Sequence, residues 1–223
     1  MKKFNAFFTL VFLFLCGQTE PVHAQKNLHV ESIPVELIWE NTPVSYSYTN
    51  GILSIQAGPK TDMFRDPQAT YNTDNAPKLL FTADSNFVFR VAIEHGFKSK
   101  WDGGAIVIKS DSLNWVKFCY EKDYLGAHRV VSVVTRNISD DCNSVSFSSN
   151  KVYYKVAKSG PAITLYCSGD NKDWLLVRHF QLNTPGPVQL GLLAQSPDGP
   201  GTEVRFSEIK YEAIKIKDPY AGQ

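Results

Sequence analysis

The sequence predicts an all-β protein, in the form of a sandwich or a barrel. Short runs that alternate apolar and polar side chains recur along the chain, and turn-forming residues separate them at the spacing of roughly 8–12 residues that is typical of such folds. No long segment shows the sustained periodicity of an amphipathic helix. The chain is also rich in Phe (14) and Tyr (10), residue types that favour strands.

The predicted strands follow one another along most of the chain. The pair Asn50-Gly51 favours a tight hairpin turn before the first of them. A short helix or a turn is expected within residues 62–71, and the segment after Tyr211 is expected to be loosely held. The predicted strands are 52–57, 86–93, 104–109, 115–121, 129–136, 151–157, 161–167, 174–180, 188–194 and 202–211.

The first 24 residues are expected to form a secretory signal peptide. Lys2 and Lys3 precede an apolar run that is too short to span a bilayer, and the sequence 22–24 fits a small-residue cleavage site. The expected location is therefore secreted or periplasmic. Lipid attachment at Cys16 is the less favoured alternative, because the residue before a lipidated Cys is normally small and Leu15 is not.

Residues 25–223 are expected to form one β-sandwich domain, with its core at about 36–212. The whole chain has a formal charge of +1. Removal of residues 1–24 takes away two lysines and Glu20, which leaves 21 basic and 21 acidic residues and no net charge. Without a basic excess or a further membrane-spanning run, neither a nucleic-acid partner nor a membrane contact beyond the signal is expected. The oligomeric state stays open.

Side-chain alternation assigns the two faces of the predicted strand 115–121. One face carries Val116, Phe118 and Tyr120 and is expected to face the core. The other face is too polar for a core and too aromatic for a plain solvent face; it carries Trp115, Lys117, Cys119 and Glu121.

The three cysteines after the signal are not expected to form a Cys119–Cys167 disulfide. Cys167 shares its face with two apolar residues and should be buried, whereas Cys119 lies beside Lys117 and Glu121. A bridge from Cys142 to either of the other two stays open.

From about Trp39 to Tyr211 the chain resembles the DUF1349 family, which has the concanavalin A-like lectin/glucanase fold. Two of the family's Trp positions hold other residues here: Phe64, and Asp141 after Ser139-Asp140. The matching pieces are Asp62-Met63-Phe64-Arg65, Trp101-Asp102-Gly103-Gly104-Ala105, Asn114-Trp115-Val116-Lys117 with Glu121, Ser132-Val133-Val134-Thr135 with Ser139-Asp140, Ser168-Gly169-Asp170 with Trp174 and Arg178, and Gln195-Ser196-Pro197.

This resemblance implies a jelly-roll sandwich of two antiparallel sheets. Jelly rolls of this type curve, and their concave face is where glycans bind or are cut. The resemblance implies no particular activity, since one fold hosts many functions. Aromatic side chains stack on the apolar face of a sugar, and charged side chains hydrogen-bond its hydroxyl groups. The candidate ligand-binding residues are Trp101, Trp115, Lys117, Glu121 and Arg136, with Arg65 and Gln195 from loops.

A glycoside hydrolase with Glu121 as acid or base is the alternative to a binding module. Hydrolysis needs two carboxyl groups at a defined separation, and Glu121 has no second acid two or four residues away on its strand. Asp62 or Asp140 is then the candidate partner, although Asp140 and Asp141 are expected to be turn residues. A protein-interaction or structural domain without a small ligand is the third possibility.

No cofactor is expected. The four histidines after the signal lack metal-ligand spacing, and no serine-nucleophile or phosphate-loop motif is present. Residues 168–174 are expected to be a structural turn with a Trp anchor. Asp170 and Asp173 in that turn are weak candidates for structural calcium, because two acids supply too few of the oxygen ligands that calcium prefers.

Overall fold

The computed structural model describes residues 27–182 and 185–223, so the predicted signal peptide lies outside the described residues. Within them the protein is all-β, as predicted. The strands are β1 (Ile38–Glu40), β2 (Ser45–Thr49), β3 (Ile52–Ala57), β4 (Met63–Arg65), β5 (Asn72–Asp74), β6 (Lys78–Thr82), β7 (Asn86–His95), β8 (Gly103–Lys109), β9 (Asn114–Lys122), β10 (His128–Arg136), β11 (Ile138–Phe147), β12 (Lys151–Ser159), β13 (Ala162–Ser168), β14 (Leu175–Gln181), β15 (Gln189–Gln195) and β16 (Thr202–Glu212).

Two seven-stranded antiparallel sheets form a jelly-roll sandwich. The front sheet has the order β1-β6-β15-β8-β9-β10-β11, and the back sheet has the order β14-β13-β12-β7-β16-β3-β2. The predicted turn at 62–71 is a small hairpin in which β4 pairs with β5. Within the described residues, the structure has no helix that is long and apolar enough to cross a membrane.

The main core lies between the sheets and follows the predicted alternation. Val116, Phe118 and Tyr120 of β9 point into it, because successive side chains of a strand point to opposite faces. Tyr154 of the back sheet meets them there, and its ring stacks on that of Phe118 with centroids 3.9 Å apart. The opposite face of β9 is therefore directed away from the core, onto the outer face of the front sheet.

A second apolar cluster covers part of this outer face. Met63 of the β4–β5 hairpin packs there with Trp115, Cys119 and Val133, beside the partly buried Phe64. The hairpin thus lies over the front sheet instead of extending from its edge, and it forms one wall of the site described below.

The segment after β16 packs against the outer face of the back sheet, so the expectation that it is loosely held is wrong. Ile216 is buried in a small cluster with Val88 and Tyr166, and the Tyr166 hydroxyl donates to the carbonyl of Pro219. The C-terminal segment 213–223 therefore covers the back sheet, whereas a cleft opens on the front sheet.

The three cysteines of the described chain are all free. Cys167 lies in the main core and Cys119 lies in the outer cluster of the front sheet. The two thiols are therefore separated by the sheet, as strand alternation predicts, and the exposed Cys142 forms no bridge to either.

Candidate functional site

A cleft of about 380 Å³ lies on the outer face of the front sheet, within the size range of small-molecule sites. Strands β9, β10 and β11 supply its floor, and loops supply its walls. The lining residues are Lys60, Asp62, Phe64, Tyr71, Thr73, Trp101, Lys117, Glu121, Val131, Val133, Asp141, Gln195, Pro197 and Asp198.

Strand register brings the floor residues together. Val133 of β10 lies opposite Lys117 on one side and opposite Asp141 on the other. Residues directly opposite each other in a sheet share a face, so all three side chains project to the same side. Glu121 lies four residues further along β9, on the same face and opposite Gly103 of β8.

Gly103 leaves room for the acid beside it. A Cβ atom at this position would lie 2.8 Å from Cys119 Sγ and 2.9 Å from Glu121 Cβ, which is closer than such atoms approach. The glycine therefore lets Glu121 occupy a place in the cleft that a side chain at 103 would take.

Lys117 is the centre of a buried polar network. Only 3% of its surface is exposed, and its Nζ donates to Asp62 Oδ1 at 2.9 Å and to Gln195 Oε1 at 2.8 Å. The Gln195 amide in turn donates to the Trp101 carbonyl at 3.1 Å and to Glu121 Oε2 at 3.5 Å. This network joins the front sheet to the loops that carry Asp62 and Trp101.

Two acids of the cleft, Glu121 and Asp141, hold their protons more tightly than usual. Burial raises the pKa of Glu121 from 4.5 to about 7, against the opposing effect of Lys117, and the charges of Asp141 and Asp62 add to the rise. Partial desolvation also raises the pKa of Asp141, although much of its side chain is exposed. Burial alone would lower the pKa of Lys117, but its acidic neighbours, Asp62 foremost, raise it.

Exposed aromatic rings border the cleft. Trp101 is 37% exposed and Tyr71 is 51% exposed. Trp101 has a left-handed backbone with φ of 63°, and its N–H donates to the Lys122 carbonyl at 2.7 Å. Lys100 Nζ lies 4.1 Å from the Trp101 ring centre and 3.3 Å from Asp198, so the rim itself is held by a cation–π contact and an ion pair.

The structure brings four of the seven sequence-predicted ligand residues to the cleft: Trp101, Lys117, Glu121 and Gln195. Trp115 shares their face but is 2% exposed, because it lies in the apolar cluster that includes Met63. It supports the floor and has no surface for stacking on a ligand.

The two predicted arginines lie outside the cleft. Arg136 is opposite Asn114 in the register, so its side chain leaves from the other face of the sheet, and it donates to the Gln181 carbonyl. Arg65 donates to the Asn137 carbonyl through Nε. Both arginines hydrogen-bond the backbone of another segment and so connect parts of the fold.

The sequence does not predict several residues that line the cleft, above all Phe64, Tyr71 and Asp141. The expectation that Asp140 and Asp141 are turn residues is wrong, since both lie in β11. The two acids point to opposite faces: Asp141 lines the cleft, whereas Asp140 pairs with Arg178 at 2.7 Å.

The remaining sequence candidates do not join the cleft. Asp170 Oδ1 accepts bonds from Ser168 and from the backbone N–H groups of Lys172 and Asp173, which is the role of a turn-forming Asp. The ring of His95 is buried and its Nε2 lies 2.8 Å from the Tyr120 carbonyl. Within the described residues, no group of three or more His, Cys, Asp or Glu side chains is arranged to hold a metal ion.

The chain is similar to proteins of known sequence and known structure. It is 27% identical over 184 residues to regulation of enolase protein 1 of Saccharomyces cerevisiae, covering 80% of this chain and 92% of that protein. A solved structure of a functionally unknown protein from Saccharomyces cerevisiae is 25% identical with a TM-score of 0.73, covering 80% of this chain and 96% of that chain.

More distant structures share the fold. The GH43 protein BlXynB of Bacillus licheniformis matches with a TM-score of 0.64 at 14% identity, over 80% of this chain and 36% of that chain. Lectin I-B4 of Griffonia simplicifolia matches with a TM-score of 0.50 at 12% identity, over 79% of this chain and 92% of that chain. The family model of DUF1349, described as a protein of unknown function, matches residues 39–214. Because that match spans most of the chain, the protein belongs to the DUF1349 family.

Proposed function

We propose that the cleft on the front sheet binds carbohydrate. The observation that carries this proposal is the combination of exposed aromatic rings with a buried polar network in one cleft: Trp101 and Tyr71 border it, and Lys117 and Glu121 lie at its base. A sugar ring presents apolar C–H groups on its faces and hydroxyl groups around its edge. The rings can stack on the former, and the charged groups can hydrogen-bond the latter.

The polar groups are held in place before any ligand arrives. Lys117 is fixed by two hydrogen bonds, and the Gln195 amide is oriented because its oxygen faces Lys117 and its nitrogen faces the Trp101 carbonyl. A site whose side chains are already ordered loses less conformational entropy when it binds. The lectin-like fold supports the proposal, since it is shared with a lectin and with a GH43 protein. Together with the predicted signal peptide, the proposal describes a secreted or periplasmic lectin-like protein.

A glycan array and a set of soluble polysaccharides test the proposal. The wild-type protein is expected to bind at least one glycan, and Trp101→Ala is expected to weaken that binding about 2–10-fold, the share of a lost stacking contact. Tyr220→Ala is the matched control, because Tyr220 is an exposed aromatic residue on the C-terminal segment, away from the lining. Absence of any glycan binding by the wild-type protein refutes the proposal.

Glycoside hydrolysis is the second candidate function, and the raised pKa of Glu121 favours it. A carboxyl group with a pKa of about 7 can hold a proton for a leaving group near neutral pH. Asp62 and Asp141 line the same cleft and supply further carboxylates. In the polysaccharide set, release of reducing sugar by the wild-type protein and its loss in Glu121→Gln would favour hydrolysis. Binding without release favours the lectin-like function.

A further inference from the structure

Several carboxylate oxygens of the cleft have room for a further hydrogen-bond donor. Within the described residues, Asp62 Oδ2 has no hydrogen-bond partner. The side chain of Asp141 forms no ion pair there, and its one donor is the backbone N–H of Cys142. Glu121 has a single N–H donor, Gln195 Nε2, at the long distance of 3.5 Å. Lys117 uses two of its three N–H groups. A ligand that brings several hydrogen-bond donors therefore fits these acceptors.

The charges of the cleft are also unbalanced. Lys117 is paired with Asp62, and Asp198 is paired with Lys100 on the rim. The lining then leaves Glu121 and Asp141 against the ammonium of Lys60, which makes no ion pair among the described residues. One negative charge is left over when Glu121 is ionised, so one positive charge on a ligand would complete the balance.

Asp141 is the acid best placed to meet that charge. It lies on the edge strand β11, opposite Val133 and on the same face as Lys117. Its side chain is exposed, whereas Glu121 is 7% exposed at the base of the cleft. A charged ligand group can reach Asp141 without losing all of its water, which keeps the cost of desolvation low.

Besides burial, nearby negative charges raise the pKa of both remaining acids. The charge of Asp141 is one of the causes of the raised pKa of Glu121, and Asp62 and Asp140 contribute to that of Asp141. A bound cation would relieve this repulsion, whereas a bound carboxylate would add to it. The cleft therefore favours cationic ligands over anionic ones.

We propose that the ligand of this cleft is an amino sugar with a free amine, and that Asp141 binds its ammonium group. This inference rests on the proposed carbohydrate binding and narrows its substrate class. The hydroxyl groups of the sugar meet the acceptors at the base of the cleft, and the ammonium forms a charge-assisted hydrogen bond with Asp141. N-acetylation removes the charge, and a uronic acid reverses it.

The test compares three soluble oligosaccharides of equal length by calorimetric titration: a glucosamine tetramer, its N-acetylated form and a galacturonate tetramer. The glucosamine tetramer is expected to bind the wild-type protein at least about tenfold more tightly than the N-acetylated form, because charge-assisted bonds are stronger than neutral ones. Asp141→Asn is expected to abolish this preference while binding of the N-acetylated form persists.

Asp140→Asn is the matched control, since Asp140 neighbours Asp141 but faces the other side and pairs with Arg178. It is expected to keep the tenfold preference. Equal binding of the two tetramers, tighter binding of the galacturonate tetramer, or a preference that survives Asp141→Asn overturns the inference and leaves carbohydrate binding standing. Absence of binding to these tetramers and to every glycan of the array refutes both the amino-sugar inference and the proposed carbohydrate binding.

Discussion

Two buried lysines, one on the outer face of each sheet, have opposite surroundings. Lys117 on the front sheet is bonded to Asp62 and Gln195. Lys155 on the back sheet has its Nζ 4.5 Å from the ring centres of both Tyr166 and Trp174, and it donates to the Gly222 carbonyl at 3.2 Å. The surroundings of Lys117 contain acids, whereas those of Lys155 are aromatic rings and a carbonyl.

The difference changes the protonation of the two amines in opposite directions. Acidic neighbours raise the pKa of Lys117 despite its burial, whereas burial, helped by the charge of Arg90, lowers the pKa of Lys155 to about 8. The front face keeps charged groups and an open cleft, and the back face is closed by the C-terminal segment. Burial of a lysine therefore does not by itself indicate a binding site. The groups around the amine determine its charge and whether a ligand can reach it.

The largest expected effect is that of Lys117→Met. The substitution removes the cation and leaves Asp62, Glu121 and Gln195 without their shared partner. Removing one member of a buried ion pair costs about 3–5 kcal/mol, and we expect the lower end, about 3 kcal/mol, since Asp62 is partly exposed. The free energy of unfolding in urea measures this loss.

The double variant Lys117→Met with Asp62→Asn separates a lost charge partner from lost packing. We expect Asp62→Asn to recover part of the loss, because it removes the unpaired carboxylate. A loss below about 1 kcal/mol in Lys117→Met, or no recovery in the double variant, would show that the network contributes little to the fold.

The next effect is that of Glu121→Gln, and it depends on pH. The fold raises the pKa of Glu121 from 4.5 to about 7, so the folded state favours the protonated acid. The resulting stability is fully present below pH 4.5 and is lost as the pH rises through 7. We therefore expect Glu121→Gln to be more stable than the wild type at pH 8, by up to about 3 kcal/mol, and equally stable near pH 4.5.

Urea unfolding of both proteins between pH 4.5 and pH 8.5 measures this difference. Glu203→Gln is the control, since that side chain is exposed, and its difference from the wild type should stay small throughout. A difference between Glu121→Gln and the wild type that is the same at pH 4.5 and pH 8 would contradict the assigned titration.

The sequence predicts the site wherever a strand alternates cleanly. Strand β9 does so, and its pattern places Lys117 and Glu121 on one face and the core residues on the other, as the structure has them. The edge strand β11 escapes prediction because its residues are mostly polar and exposed, without an apolar face. The sequence therefore predicts a turn at Asp141 and gives no sign of its place in the cleft.

Other features of the site escape prediction because they depend on contacts between segments that are distant in the sequence. Trp115 lies on the predicted face but is covered by Met63 of the β4–β5 hairpin, and nothing in the sequence of either segment indicates that contact. The sequence does not predict strand β6, because this strand is buried on nearly all its length and its apolar residues do not alternate with polar ones. Local patterns thus assign faces, whereas the packing of loops over a face decides which side chains a ligand can reach.

The smallest expected effect is that of Lys155→Met, which tests the back face. Because the fold lowers the pKa of Lys155, its cationic form is disfavoured in the folded state, and this cost is present at pH 7 and falls as the pH rises above 8. Methionine keeps contacts with Tyr166 and Trp174 through its thioether, so we expect a change within about 1 kcal/mol at pH 7. At pH 9.5 we expect the stability of Lys155→Met to fall relative to that of the wild type.

Thermal unfolding at both pH values measures this difference, with the exposed Lys210→Met as control. A loss at pH 7 as large as that of Lys117→Met would contradict the contrast between the two lysines.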